Sequence, residues 1–323
     1  MRASDGSHLP VGARLAKHCH TVMFHYVRPS FSGSGIAGMT VAEFKDLLVR
    51  LAAVAEFVNP ADLLSDTPDS VAEPDSRPKI LMSFDDGLRD HYDFVAPILE
   101  DCGVRGLFFV NSEQYEHGRT LLIHRWHAIR ESVPHLVDNP VFANLISKSE
   151  TENRDIERAV RWDDGVMAAF KYSFNYRMIE QHKRSVVEAL ETALSLSPPG
   201  IHEVYMSRAE LEDLVKRGHV VCSHSHSHAC LSLLDENELK RDFESSINFI
   251  ASLRGDVRLF AYPFGKSESF NLRVQEMLRR YGICLAFSSE PRGDKQTVDP
   301  LALPRLDPRD LLKELDHWIA NSA

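Results

Sequence analysis

Lys79 to Val110 reads KILMSFDDGLRDHYDFVAPILEDCGVRGLFFV, and this stretch decides the fold. Lys79 to Phe84 (KILMSF) is a short, nearly continuous apolar run, the pattern of a strand covered on both faces. Asp85-Asp86-Gly87 stops it. Phe94, Val95, Ile98 and Leu99 then recur at helical spacing, Cys102-Gly103 closes the helix, and Gly106 to Val110 (GLFFV) is a second apolar strand. A strand, a helix and a strand in such close order predict parallel neighbours joined by a crossover.

The same alternation extends outward. Thr21 to Val27 (TVMFHYV) is rich in β-branched and aromatic residues and reads as a buried strand ending at Arg28-Pro29. Thr40 suits the N-cap of a helix carrying Phe44, Leu47, Leu48 and Leu51. Downstream, the spacing Ser207…Glu210 resembles a capping box and opens a helix to Arg217. Strands are predicted at Val220 to Ser223, Leu259 to Tyr262 and Ile283 to Phe287, and helices at Glu236 to Leu253, Leu272 to Tyr281 and Pro308 to about Ala320. From about Leu121 to Ser195 the strand signal fades into a polar, helical insert with Arg161-Trp162-Asp163-Asp164 in its middle. One α/β domain over residues 1–323 is expected, with an N-terminal extension at 1–20 and an insert at about 121–195.

Composition narrows the classes. Hydrophobic residues at 43% and charged residues at 26% allow a sizeable core and exclude a disordered or collagen-like chain. The formal charge of −10 argues against a nucleic-acid partner held by bulk charge. Cys19, Cys102, Cys222, Cys230 and Cys284 are widely spaced, with no C-x-x-C pair, so reduced thiols are expected. No apolar run suits a signal peptide or approaches the roughly 20 residues of a membrane span. A soluble, cytoplasmic protein without stable membrane insertion is the expectation.

Three motifs lie where predicted strands end, which is where parallel sheets and barrels build their sites. Ser83-Phe84-Asp85-Asp86-Gly87 sets two carboxylates side by side, so that one can bind a metal while its neighbour faces a water. The same residues also suit a turn or a helix cap. His224, His226 and His228 share a face if Ser223 to His228 stays extended; if it turns helical, His224 and His228 do. Imidazole is a common zinc ligand, and two or three of them with a carboxylate leave one tetrahedral corner open for water. A solvated polar loop is the plainer alternative. Phe260-Ala261-Tyr262-Pro263-Phe264-Gly265 taken alone is a strand end broken by proline and glycine.

Together, in this order and spacing, the three resemble the polysaccharide deacetylases, the NodB-homology carbohydrate esterases. SFDDG resembles that family's (T/S)FDDG motif, His224-Ser225-x-x-His228 its H(S/T)xxH motif, and FAYPFG its RxPY-type motif. The framing segments DHYDFVAPILEDCGVRGLFFV and LVKRGHVVCSHSHSHACLSLL read alike. MFHYVRP (from Met23) resembles the HYVR-type N-terminal opening of one branch, and Leu303-Pro304-Arg305-Leu306-Asp307 a late segment of it. The insert with its WDD resembles members tied to surface-polysaccharide synthesis. The resemblance implies a distorted barrel of (β/α)7 type. It further implies Asp86, His224 and His228 as ligands of a divalent metal, most commonly Zn2+, with Asp85 as general base. The backbone N–H of Phe264 or a neighbour would assist at the oxyanion.

Two family residues are missing. Ala261 stands where the motif carries the arginine that orients the base; Arg305 is the first candidate to replace it and Arg89 the second. The usual general acid is a histidine in an L-x-H motif. Leu315-Asp316-His317 matches the letters inside an amphipathic helix, whereas His25 ends a strand that a permuted order would place beside the site. His25 is therefore the expected acid, ahead of His124 and His127 in the insert. Tyr262, Pro263, Phe264 and Arg305 are the expected substrate contacts.

The expected function is metal-dependent N-deacylation of an amino sugar, acetyl or formyl, in surface polysaccharide or lipopolysaccharide O-antigen biosynthesis. The substrate would be nucleotide-linked, lipid-linked or a glycan end. Two alternatives stand beside it: a ureide or cyclic amide amidohydrolase, and a non-catalytic sugar-binding relative.

Overall fold

The computed structural model describes residues 19–31, 36, 38–64, 77–133, 135–146, 165–290 and 299–322. Most of the N-terminal extension, residues 161–164 of the insert and the His317 side chain lie outside them.

Nine strands run in chain order among the described residues: β1 Cys19–Phe24, β2 Val27–Arg28, β3 Met39–Thr40, β4 Glu56–Phe57, β5 Lys79–Phe84, β6 Leu107–Val110, β7 Val220–Ser223, β8 Leu259–Ala261 and β9 Leu285–Phe287. Seven form one parallel sheet in the order β1-β5-β6-β7-β8-β9, with β4 beside the first two residues of β5; β2 and β3 pair with each other. The sheet curls into a half-barrel, and residues 303–306 bridge its two edges. Leu303 N–H donates to Ala286 O and Leu306 N–H to Thr21 O, both at 2.8 Å, while Ser288 and Met23 return N–H bonds to Leu303 O and Leu306 O.

Period-two alternation divides the strands between two apolar layers. Leu81, Leu107, Phe109, Cys222, Leu259, Ala261, Leu285 and Phe287 fill the concave side. Ile80, Met82, Phe84, Phe108, Val110 and Val221 face the crossover helices, meeting Val95, Leu99, Leu211, Leu214 and Ile250. Being covered on both faces is why these strands read as continuous apolar runs. The insert supplies a third layer, with Trp126, Phe142, Phe170 and Phe174 in mutual ring contact.

Helix starts follow their caps. Thr40 and Glu43 close a reciprocal capping box on the Val41–Val54 helix, and Ser207 with Glu210 does so on Arg208–Lys216. Three details differ from expectation. The first strand stops at Phe24 rather than Val27, because the chain leaves the sheet at His25 and Tyr26 so that Val27 can pair with Met39. The helix after Asp86 opens with a wide π turn, His91–Val95, before Ala96–Asp101. The two-residue strands β2, β3 and β4 are too short to carry a period. No helix among the described residues is long and apolar enough to cross a membrane.

Ser207→Ala removes the acceptor for Glu210 N–H and is expected to destabilise the protein by about 1 kcal/mol. A lower urea midpoint with unchanged slope is the outcome to look for; an unchanged midpoint counts against the cap as a stabilising element.

Candidate active site

Parallel register assembles the site at the carboxyl ends of the strands. Phe24 pairs with Phe84, so His25 and Asp85 leave the sheet side by side, with Asp85 N–H on Phe24 O at 2.9 Å. Val110 pairs with Ser223, so Asn111 and His224 emerge together, and the Asn111 amide donates to His224 O. Along β5 the concave side takes Leu81, then Ser83, then Asp85. Asp86 breaks the alternation with φ +75°, and Gly87 follows at φ +65°, where a Cβ would lie 2.7 Å from Val110 Cγ1. The left-handed pair swings the Asp86 carboxylate toward the histidine loop, and for a non-glycine residue such a backbone costs on the order of 1 kcal/mol or more.

The loop Ser223–His228 is held by its own hydroxyls and by one carboxylate. Ser223 Oγ accepts Ser225 N–H, and Ser225 Oγ accepts His228 N–H. Asp242, on the buried face of the Glu236–Ser252 helix, accepts the N–H groups of His226 and Ser227 and the Ser227 hydroxyl. Ser225 and His228 are also left-handed. His224 and His228 consequently point inward, with Nε2 atoms 3.4 and 3.3 Å from Asp86 Oδ1. His226 points outward to Ser112 and joins Glu116 and His117 in an exposed group.

Electrostatics separates the two aspartates. Burial pushes the Asp85 carboxyl up, but Arg305, with His224 and His25, outweighs it and leaves the pKa below the ordinary value. Arg305 grips both oxygens, Nη1 on Oδ1 at 2.6 Å and Nη2 on Oδ2 at 2.7 Å, and its Nε donates to Ser288 O. For Asp86, burial also pushes upward, yet His124 and His228 hold the carboxyl well below its usual range. Both groups are ionised at neutral pH.

Asp86, His224 and His228 fit a cation. Burial pushes His224 down to about 4, so the ring is neutral, and its Nδ1–H donates to Ala261 O at 2.8 Å. The Nε2 lone pair therefore faces Asp86 Oδ1, a buried oxygen with no hydrogen-bond partner. Two acceptors aimed at each other in a buried site repel unless a positive charge lies between them. The three ligand atoms lie within 4.8 Å of one another.

Among the other expected residues, His25 Nε2 lies 3.8 Å from Asp85 Oδ2 with its side chain 38% exposed, so the cluster opens toward it. Phe264, at φ +61°, sets its ring edge-on to His228, centroids 4.8 Å apart. Tyr262 corrects the expectation: Ala261 faces the concave side, so Tyr262 faces away, stacks on Phe270 and donates its hydroxyl to Leu301 O. Pro263 is buried in a turn whose carbonyl accepts Gly265 N–H. Arg305 is committed to Asp85 and 2% exposed, so it orients that carboxylate and is closed to substrate. Arg89 pairs with Asp93 and Glu210 at the surface. His127 meets the Tyr26 hydroxyl. His124, weighed behind His25 as an acid, lies instead on Asp86, and two contributors escaped sequence reasoning: His91, with Nε2 2.7 Å from His25 O, and Asp242. Only Asp242 left a signal, an acidic residue on the apolar stripe of Leu239, Phe243, Ser246 and Ile250.

The sequence profile of the family described as polysaccharide deacetylase matches residues 72–286, two thirds of the chain. This chain belongs to the polysaccharide deacetylase family. Membership makes it a hydrolase of amide bonds, in a family whose members are commonly metal-dependent. No curated protein matches it. Among solved structures it resembles the Streptococcus pyogenes deacetylase PplD in complex with acetate (TM-score 0.58, 12% identity, 92% of this chain and 97% of that one). It also resembles IcaB from Ammonifex degensii (0.54, 16%, 93% and 97%) and a de-N-acetylase from Aggregatibacter actinomycetemcomitans (0.55, 12%, 92% and 99%). At these identities the likeness speaks for the fold of a polysaccharide deacetylase.

Two outcomes follow for this member of the family. Arg305→Ala strands a buried carboxylate and should cost about 3–5 kcal/mol of stability, partly restored in Arg305→Lys; equal stability of Arg305→Ala and wild type in urea refutes the pairing. His91 is buried and pushed down to about 4 from about 6.5 in the unfolded chain, so only the unfolded state takes up its proton in that window. Stability of the metal-free protein should fall as pH drops from about 6.5 to 4, and His91→Gln should reduce that slope by about 1.4 kcal/mol per pH unit.

Proposed function

We propose that this chain is a metal-dependent N-deacylase of an amino sugar in surface-polysaccharide or lipopolysaccharide O-antigen biosynthesis, with acetyl as the leading acyl group. The observation that carries this is the buried Asp86–His224–His228 group with an arginine-clamped second aspartate beside it. Zinc is the proposed ion, because two imidazoles and a carboxylate leave one tetrahedral position open, and when bound it would polarise the amide carbonyl and lower the pKa of a water.

The chain's own groups divide the proton work. Asp85, ionised beside Arg305, accepts the proton of the attacking water. The clamp on both carboxylate oxygens fixes which lone pair faces the incoming molecule. His25, at the open side and 3.8 Å from Asp85, donates the proton that the departing amine needs as the C–N bond breaks. His91 holds the His25 carbonyl and so the end of β1. Phe264 forms an apolar wall against His228, suited to the acyl methyl.

The other two readings lose support. Relatives acting on cyclic amides tend to depart from the metal set, which is whole here. A binding-only relative was suggested by Ala261 in place of the motif arginine, and Arg305 supplies that guanidinium from another part of the chain. The substrate class is an N-acylated amino sugar, nucleotide-linked, lipid-linked or at a glycan end.

Protein purified without a His tag or added metal is expected to carry about one zinc per chain, lost in His224→Ala. Asp85→Asn should keep the metal while acetate release from N-acetylated amino-sugar substrates falls by about 10²- to 10⁴-fold. Undiminished release in Asp85→Asn removes Asp85 from the mechanism; no zinc on the wild type even after adding it back removes the metal-dependent reading.

A further inference from the structure

We infer that His124 is a positioning residue for the metal site, aiming Asp86 at His224 and His228 through a hydrogen-bond chain anchored on the helical insert. The inference rests on the metal reading above and gives the insert a role in it. His124 lies in the first turn of the Leu122–Ser132 helix, 2% exposed. Its Nε2 is 3.3 Å from Asp86 Oδ2, and its Nδ1 is 2.6 Å from the Tyr205 hydroxyl. Tyr205 Oη in turn accepts Leu121 N–H at 3.2 Å.

Every proton in this chain has one consistent direction. An ionised carboxylate only accepts, so the Nε2 facing Asp86 carries a proton. Tyr205 Oη already accepts Leu121 N–H, so its own hydroxyl proton is free for Nδ1, 2.6 Å away. Nδ1 then accepts, and the Tyr205 hydroxyl donates to it. Both nitrogens are thereby used, so His124 has no lone pair to offer an ion: it orients a ligand and is not one.

Asp86 depends on such a hold. Its backbone is left-handed, and on the oxygen turned away from His224 and His228, Oδ2, the partner is His124 Nε2 at 3.3 Å. With Oδ2 occupied, Oδ1 is the oxygen turned toward His224 and His228. The far end of the chain is tied to the same turn, since Met206 N–H donates to Gly87 O at 3.1 Å and Tyr205 bridges Leu88. Leu121 and Tyr205, flanking the insert, thus close around the Asp86-Gly87 turn. Groups that hydrogen-bond a ligating side chain commonly set metal affinity by about 10- to 100-fold.

The test is the zinc dissociation constant, read by competition with a chromophoric chelator, for wild type, His124→Leu, His124→Gln and Tyr205→Phe. His124→Leu is expected to weaken zinc by about 10- to 100-fold. His124→Gln, whose amide can still donate to Oδ2, should recover most of that loss, and Tyr205→Phe should show a smaller loss of the same sign. The rise in Tm on adding zinc should shrink in the same order, whereas a merely structural role lowers Tm equally with and without zinc. Tight zinc on the wild type with an unchanged constant in both His124 variants overturns the inference alone. No zinc on the wild type overturns the metal reading and this inference with it.

Discussion

The Arg305–Asp85 pair is the constraint on which the rest of the site depends. Arg305 comes from the segment that bridges β9 and β1, so closing the sheet and orienting Asp85 are a single structural event. Its guanidinium lies over Phe109, on top of the apolar layer that fills the concave side. A buried ion pair contributes little net stability, because desolvating both charges offsets most of their attraction. What it supplies is specificity. A carboxylate left there alone would be too costly to bury, so the fold that buries Asp85 must also bring Arg305 to it.

Parallel pairing does the remaining placement with little extra machinery. Because neighbouring strands run the same way, residues just past their ends emerge together on one side: His25 beside Asp85, and Asn111 beside His224. Period two then decides which side chains face the concave side. Ala261 faces it, and its carbonyl fixes the His224 tautomer, while Tyr262 turns away into the packing under Phe270. Where alternation would give the wrong aim, the backbone departs from it. Asp86 and His228 are both left-handed, a strain concentrated at residues whose direction matters.

The insert is continuous with this arrangement rather than laid over it. Its aromatic layer of Trp126, Phe142, Phe170 and Phe174 gives the Leu122–Ser132 helix a fixed seat. One face of that helix joins the apolar layer while His124 turns toward Asp86. Lys183 of the Glu180–Leu194 helix lies over the Phe264 ring, tying the insert to the wall of the site as well.

Much of this was legible in the residues. Apolar runs ending in Asp-Asp-Gly and in alternating histidines mark strands and their carboxyl ends, since strand period, capping boxes and left-handed glycines are local properties of a chain. Thr40, Ser207 and the Asp86-Gly87 turn needed no knowledge of the fold. The partners of those residues were not legible. His124 and Asp86 are 38 positions apart, Arg305 and Asp85 220, and no local pattern distinguishes a guanidinium bound for a buried carboxylate from one bound for solvent. Ala261 in the motif made Arg305 the first candidate for the missing arginine, but the motif could not show that the segment bridging β9 and β1 brings it to Asp85. Sequence by itself determined the strands, the turns and the donor types; only the tertiary structure decided which donors meet, because long-range contacts are chosen by how the sheet curls and what it must neutralise inside.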